Sequence, residues 1–438
     1  MSSDLEIAAF IGLDWADQQH VICLRVAGST TVEAQLLDQK PETLQAWIGQ
    51  LRQRFGGRPV AIALEQSRGS LLYALMNVDF LLLYPVNPQN LAQFRKAFYP
   101  SGAKDDPQDA LLLLEMLEKH RDRLRVWVPD DADTRCLRLL AENRRKLVNR
   151  RTALTNQLTS LLKESFPQAL DWAGPLDSVR ACDFLQHWPS LQRLQQTSTS
   201  RLRKFYRDHT RLDSDAIHQR LDQIRQAQPL TRDSAVLTAA ELMIPALVRQ
   251  LRCLIESIQQ FDQQLKDRFQ QHDDYTLFHS FPGAGPALGP RLLSAFGSNR
   301  NRFECAAEVQ MLSGIAPVTE RSGKSHWVHW RLACPKFLRQ SFHEFAAQSI
   351  LFSTWARAFY DQLRSRGTSH HAAVRTLAFK WIRILFRCWK NRTPYDEQIY
   401  LASLRRRLPA HAPESCLAVH RVGSAARREL EGLDELVG

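Results

Sequence analysis

Two of the most apolar stretches of this chain end in an acid, and that pattern restricts the fold more than any other feature. Asp14 closes the run Ala8-Ala9-Phe10-Ile11-Gly12-Leu13, and Glu65 closes Val60-Ala61-Ile62-Ala63-Leu64. Both runs read as buried strands. A carboxylate at the end of a buried strand is costly unless something neutralises it, and a divalent cation does so. A second pair of acids, Asp106 and Asp109, sits in Lys104-Asp105-Asp106-Pro107-Gln108-Asp109-Ala110, just ahead of the helical stretch Leu111 to Leu117. Two strand-end acids and an Asp-x-x-Asp pair one helical turn apart can converge on one or two Mg²⁺ ions, with Mn²⁺ as the alternative. Such sites clamp the attacking and leaving oxygens of a phosphodiester. Any one of these acids alone reads equally well as a solvated strand end; the four together favour metal binding by Asp14, Glu65, Asp106 and Asp109.

The surrounding sequence alternates strands and helices. Strands are expected over 6–15, 20–27, 31–37, 60–65 and 80–86, the first three as antiparallel neighbours, and helices over 41–55 and 71–77. Three strands followed by alternating helix and strand suggest an α/β sheet of ribonuclease-H type, similar to the RuvC resolvase core. At 438 residues the chain is too long for one core, so two or three domains are expected. No signal peptide and no apolar run able to span a bilayer are expected. The eight cysteines lack any Cys-x-x-Cys pair, which argues against structural zinc and suits a reducing cytoplasm.

Charge separates the two halves. The first 130 residues carry 13 Lys/Arg and 16 Asp/Glu, a net −3 in a chain whose total is +12, leaving +15 for the remainder. Polyanions are the natural partners of such a basic body. Beyond residue 130, Leu140, Leu147, Leu154 and Leu161 recur every seven residues, with Leu137 and Leu158 at intermediate seam positions. Ile244, Leu247, Leu251, Leu254, Ile258, Phe261 and Leu265 alternate steps of three and four. Both look like coiled-coil seams, pairing with each other or with another protomer. Arg144, Arg145, Lys146, Arg150 and Arg151 on the first helix either meet a phosphate backbone or form a solvated face. Residues 166–235 read as short helices and loops without assignable chemistry. Further on, Phe281-Pro282-Gly283-Ala284-Gly285-Pro286 opens toward a helix, and Gly283 and Gly285 can present backbone N–H groups to a phosphate as in helix-hairpin-helix DNA binders.

These pieces join into a recognisable whole. Gly12-Leu13-Asp14, Leu64-Glu65 and Lys104-x-Asp106-x-x-Asp109-Ala110 resemble the DEDD domain of the insertion-sequence one-ten family of transposases and the Piv-type DNA invertases. Phe281-Pro282-Gly283-x-Gly285-Pro286, Arg302-Phe303, Ser313-Gly314-Ile315-Ala316-Pro317, Ser322-Gly323-Lys324, Phe337-Leu338-Arg339 and Tyr360 through Trp389 follow the order of that family's C-terminal domain. The resemblance covers roughly residues 6–165 and 240–400. It implies an α/β RuvC-like metal-dependent domain (1–130), a long helical coiled-coil region (131–275), and a mainly α-helical serine transposase domain with a helix-hairpin-helix-like element (276–400). A C-terminal tail follows (401–438).

The resemblance also implies an activity. Ser322 takes the place of the family's nucleophile, with Mg²⁺ held by the four acids, so that DNA is cut and rejoined through a covalent phosphoserine. Gly323 gives the backbone room to approach DNA, and Arg321, Lys324 and Arg331 can pair phosphate oxygens. The implied partners are donor and target DNA, a structured bridge RNA that guides the recombinase, and a homodimer that assembles into a tetramer on DNA. The implied setting is the bacterial cytoplasm, nucleoid-associated, without a membrane. The sequence departs from the family at Asp105, which competes with Asp106 as a ligand, and at Cys334-Pro335-Lys336 after the serine motif. The rival readings are a hydrolytic RuvC-like endonuclease with a structural Ser322, and a non-catalytic nucleic-acid-binding regulator.

Overall fold

In a computed structural model, which describes residues 6–65, 69–98, 106–323 and 325–407, the two acid-terminated runs lie side by side as parallel strands of one sheet. Of Asp106, His326 and residues 403–407 only the backbone is described. The chain divides into two units, one ending at Pro129 and one starting at Asp130.

The first unit is a five-stranded sheet in the order β3-β2-β1-β4-β5. The strands are β1 (Ala9–Asp14), β2 (Gln19–Val26), β3 (Glu33–Asp38), β4 (Val60–Leu64) and β5 (Leu81–Pro85). β1, β2 and β3 are antiparallel neighbours, whereas β4 pairs in parallel with both β1 and β5. β4 is buried along its whole length, which explains its unbroken apolar run. The helices are α1 (Pro41–Phe55), α2 (Ser70–Leu75), α3 (Pro88–Phe98) and α4 (Asp106–His120). α1 begins at a proline, whose missing N–H costs nothing at a helix start, and stops at Gly56 in the left-handed region. It buries Leu44, Trp47, Ile48, Leu51 and Phe55 at helical spacing. α3, for which the sequence carries no clear signal, buries only Leu91.

The second unit is helical apart from one hairpin. It opens with α5 (Ala132–Ser165), followed by five short helices, α6 (Ala169–Trp172), α7 (Val179–His187), α8 (Leu191–Gln195), α9 (Thr199–His209) and α10 (Ser214–Gln226). The long α11 (Ser234–Gln271) leads to α12 (Tyr275–His279), α13 (Gly285–Phe296) and α14 (Ala306–Leu312). The hairpin β6 (Val318–Ser322) and β7 (Ser325–His329) precedes α15 (Lys336–Phe352), α16 (Thr354–Ser365), α17 (His370–Asn391) and α18 (Glu397–Arg407). The tail beyond residue 407 lies outside the described residues.

α5 and α11 pack on each other within one chain, which settles one of the two pairings open in the sequence. Leu137, Ala141, Leu158 and Leu162 are the buried apolar positions of α5, so the intermediate seam positions Leu137 and Leu158 face the core while the seven-residue leucine ladder is only half-buried. Arg144, a charge inside that ladder, is held by Asp262 of α11, with Nη2 3.0 Å from Oδ2. By length and composition α11 is apolar enough to cross a membrane, which corrects the expectation that no run would be. Its stripe Ile244, Leu247, Val248 and Leu251 is buried in a core shared with α5 and the short helices. A second core gathers Phe281, Phe296, Phe345, Trp381 and Trp389 from the C-terminal helices around the start of α5 and the end of α11.

Asp131 caps α5, its carboxylate accepting from the Thr134 backbone N–H at 2.8 Å and from the Thr134 hydroxyl at 2.7 Å. Partial burial raises its pKa, but hydrogen bonds from Ser298 and Thr134 outweigh this and hold it down at about 2, against an ordinary 3.8. Asp131→Ala is therefore expected to cost about 1 kcal/mol at neutral pH. A carboxylate whose folded pKa is lowered stabilises above its unfolded pKa and loses that contribution as pH falls through the folded one. Urea unfolding should show the gap between wild type and variant closing from pH 3.8 toward 2; a gap independent of pH would contradict the assignment.

Candidate functional site

The geometry of the acids follows from strand register. Leu13 of β1 pairs with Leu64 of β4, so the next residues, Asp14 and Glu65, leave the sheet side by side at the same edge. Asp14 is 8 % exposed and Glu65 is half-buried. α4 crosses β1 at close range because Gly12 has no side chain. A Cβ there would fall on the Ala110 carbonyl oxygen and the Leu114 amide nitrogen. The Cys23 thiol of β2, 4.0 Å from the Pro107 carbonyl, marks where the first turn of α4 meets the sheet. Burial pushes the pKa of that thiol up. The contact at Ala110 fixes the first turns of α4, and with them Asp109, against β1. Asp106 lies one helical turn earlier at the N-terminus of α4, where the helix dipole favours anions.

Asp109 is fully buried, and its partner comes from α3, a residue not singled out in the sequence. Arg95 donates from Nε to Oδ1 at 2.7 Å and forms an ion pair with the same oxygen. Oδ2 is buried and has no hydrogen-bond partner among the described residues. An unpaired buried carboxylate oxygen is expensive, and a divalent cation is the ligand such an oxygen suits. The oxygen donors of Asp14, Glu65, Asp106 and Asp109 are of the chemical type that suits Mg²⁺ or Mn²⁺. Among the described residues no three His, Cys, Asp or Glu side chains lie close enough together to enclose a metal. The Asp106 side chain and Asp105 lie outside the description.

Ser322 belongs to the second unit and is the last residue of β6, directly opposite Ser325. It is exposed at the tip of the hairpin. Gly323 turns the chain with φ of 57°, a conformation that favours glycine, and nothing lies within 4 Å of where its Cβ would be. A phosphate backbone can therefore come close to Ser322. Arg321 is exposed and Arg331 is half-buried; Lys324 lies outside the described residues. Cys334, one of the departures from the family pattern, packs against Gly314, where a Cβ would strike its sulfur.

The remaining expected nucleic-acid contacts divide into two groups. Arg144, Arg145 and Arg151 form ion pairs with Asp262, Glu344 and Asp177, while Lys146 donates to Asn143 at 3.0 Å and Arg150 is exposed. Gly283 takes φ of 77° in the turn before α13, and a Cβ there would lie 2.9 Å from Gln348 Cγ of α15. Close packing thus already requires that glycine, whereas Gly285 faces open space.

Comparison with known proteins agrees with the two-part motif order. A family model described as a transposase, of the DEDD type of IS110, matches residues 11–167. One described as the transposase IS116/IS110/IS902 family matches residues 275–361. The chain is 29 % identical over 410 residues to the mini-circle putative transposase for IS117 of Streptomyces coelicolor, spanning 91 % of this chain and 98 % of the relative. It is 25 % identical over 400 residues to the insertion element IS110 uncharacterized 43.6 kDa protein of the same organism, spanning 90 % and 97 %. It is also 25 % identical over 349 residues to the insertion element IS900 uncharacterized 42 kDa protein of Mycobacterium paratuberculosis, spanning 76 % and 83 %. With an acid-edged sheet in the first match and the Ser322 hairpin in the second, the chain belongs to the IS110 family of insertion-sequence transposases.

Proposed function

We propose that this transposase cuts and rejoins DNA through a covalent phosphoserine on Ser322, in a bridge-RNA-guided reaction that depends on a divalent metal. The observation that carries the reading is the β1–β4 register that brings Asp14 and Glu65 to the same end of the sheet, together with a buried Asp109 Oδ2, on the helix packed against β1, that has no hydrogen-bond partner among the described residues. The sheet order β3-β2-β1-β4-β5 supports reading the first unit as a RuvC-like, ribonuclease-H-like domain. Asp14, Glu65, Asp106 and Asp109 would hold Mg²⁺ or Mn²⁺, which when bound supplies Lewis-acid polarisation of the scissile phosphate. Arg95 holds Asp109 in place through Oδ1 and leaves Oδ2 free for that role.

The covalent chemistry falls to Ser322. Its Oγ forms a bond to phosphorus as the bond to the adjoining deoxyribose oxygen breaks, and the hydroxyl proton is released as the leaving oxygen gains one. Attack by the hydroxyl of a second strand reverses the exchange and frees the serine. Because the phosphoserine conserves the bond energy, strands are rejoined without ATP.

The basic second unit suits contact with donor DNA, target DNA and RNA backbones rather than base reading. The apolar surface that α5 and α11 leave uncovered suits a coiled-coil contact with a second protomer, with the tetramer forming on paired DNAs. A nucleoid-associated, cytoplasmic setting follows from these partners. To test the reading, purified protein is incubated with Mg²⁺, donor and target DNA, and the RNA encoded beside the gene, and joined product is counted by sequencing junctions. Joined product that disappears without the RNA is expected. Joining at an equal rate without RNA would contradict guidance, and nicks with no joined product would favour the hydrolytic endonuclease.

A further inference from the structure

The hairpin that carries Ser322 exposes more apolar surface than a two-stranded ribbon needs. Trp327 is 49 % exposed, Val328 58 %, Trp330 56 % and Leu332 77 %. Register divides these side chains between two faces. Glu320 lies opposite Trp327 and Ser322 opposite Ser325, so Ser322, Ser325, Glu320, Trp327 and His329 share one face. Trp327 is the diagonal neighbour of Ser322, a separation that an indole spans. Glu320 is already engaged by His329 at 3.3 Å. The Trp327 ring therefore stands exposed beside the serine, on a face with no other large aromatic side chain.

The base of the hairpin provides a second, independent observation. The Arg375 guanidinium of α17 lies over the Trp330 ring. Arg375 sits near Arg339, and both burial and that neighbouring charge lower its pKa. Arg339 donates to the Arg331 carbonyl at 2.8 Å, to the Leu332 carbonyl at 3.1 Å and to Cys334 sulfur. Arg331 Nε is buried without a hydrogen-bond partner among the described residues. Among the described residues no carboxylate forms an ion pair with Arg331, Arg339 or Arg375. Three arginines gathered without an acid, beside stacked and unstacked indoles, make a surface complementary to an anion that also carries flat rings.

A nucleic-acid strand has both properties, but in a duplex its base faces are covered by their neighbours. We infer that this hairpin is a stacking platform for an unpaired DNA strand at the cleavage point. Trp327 takes the face of the base next to the phosphate that Ser322 attacks, and Arg331, Arg339 and Arg375 hold phosphates further along the same strand. This deepens the serine reading and rests on it for the identity of the strand. The arrangement gives a reason for locating a nucleophile on so exposed a ribbon: the adjacent indole fixes the register of the strand, and the arginines fix its direction.

The test is binding of full-length protein to a fluorescent single-stranded oligonucleotide of element-end sequence, followed by anisotropy. Wild type, Trp327→Ala, Trp327→Phe and Arg375→Ala are compared, with the same sequence as RNA and with sedimentation of each protein. Stacking on one base corresponds to a loss between about fivefold and about 150-fold in affinity for Trp327→Ala. Trp327→Phe should recover most of it, and Arg375→Ala should weaken binding and flatten its salt dependence. Since Trp327 is exposed, folding should be unaffected, which circular dichroism checks. Unchanged DNA affinity in Trp327→Ala would overturn the proposal. So would a loss confined to the RNA strand, or a loss of self-association with DNA binding intact. If wild type forms no serine–DNA adduct while Trp327→Ala still loses the DNA strand, the serine reading fails and the platform stands.

Discussion

Gly12→Val is expected to dismantle the first unit, whereas Gly49→Ala is expected to leave it intact or tighten it. A side chain at Gly12 meets the backbone of α4 at Ala110 and Leu114, and backbone cannot rotate aside as a flexible side chain can. α4 would have to lift from β1, uncovering Ala110, Leu112, Leu113, Leu114 and Leu117, all fully buried. Overpacking of this kind costs about 1–3 kcal/mol when neighbours can yield, and more where they cannot. Against a typical domain stability of about 5–15 kcal/mol, the methyl of Gly12→Ala should be damaging and the branched side chain of Gly12→Val close to unfolding. Gly49 lies in the middle of α1 with nothing within 4 Å, so alanine there gains helix propensity of up to ~1 kcal/mol. Thermal unfolding and hydrogen exchange of the α4 amides measure both. A Gly12→Val protein that melts with wild type would show that α4 does not seat on β1 as described, and the placement of Asp109 would fall with it.

How much of this was legible in the sequence depends on whether the cause is local. The strands ending in Asp14 and Glu65 and the helix α1 were readable because apolar runs, prolines and glycines act on their own neighbourhood. The α/β character of the sheet and the antiparallel pairing of its first three strands were legible, but not the full order β3-β2-β1-β4-β5, since strand pairing is not encoded in any one segment. α3 escaped because it buries a single leucine, and Arg95 escaped with it, for its meaning lies in a carboxylate fourteen residues away. Of the α5 seam, the intermediate positions Leu137 and Leu158 are buried, whereas the seven-residue leucine ladder is half-buried. A seven-residue repeat also matches positions that flank the buried stripe, and the partner α11 decides which stripe is covered. Arg144 read equally as a phosphate contact or part of a solvated face, because its partner Asp262 lies on a helix more than a hundred residues downstream. Gly12 was visible within a motif, but the reason it must be glycine is a contact with α4, about a hundred residues downstream.

The second large effect concerns the acids. Asp14→Asn and Asp109→Asn keep the size of each side chain while removing the charge that a metal needs. DNA cleavage should fall by about a thousandfold or more, the loss of several kcal/mol of transition-state stabilisation. Binding of DNA should survive, because the net positive charge lies in the other unit. Asp109→Ala should do further harm, since it leaves the Arg95 guanidinium beside a buried cavity without its partner. Full cleavage by all of the asparagine variants would contradict a metal role for these acids.

The most direct measurement is a covalent-adduct assay. Full-length protein, Mg²⁺, element-end DNA and the adjacent RNA are mixed, and protein–DNA adducts are resolved on denaturing gels for wild type, Ser322→Ala and Asp14→Asn. An adduct formed by wild type, and lost in both variants, is the predicted result. Cleavage without any adduct, undiminished in Ser322→Ala, would contradict the central claim that the serine on the hairpin and the acids at the sheet edge perform one reaction.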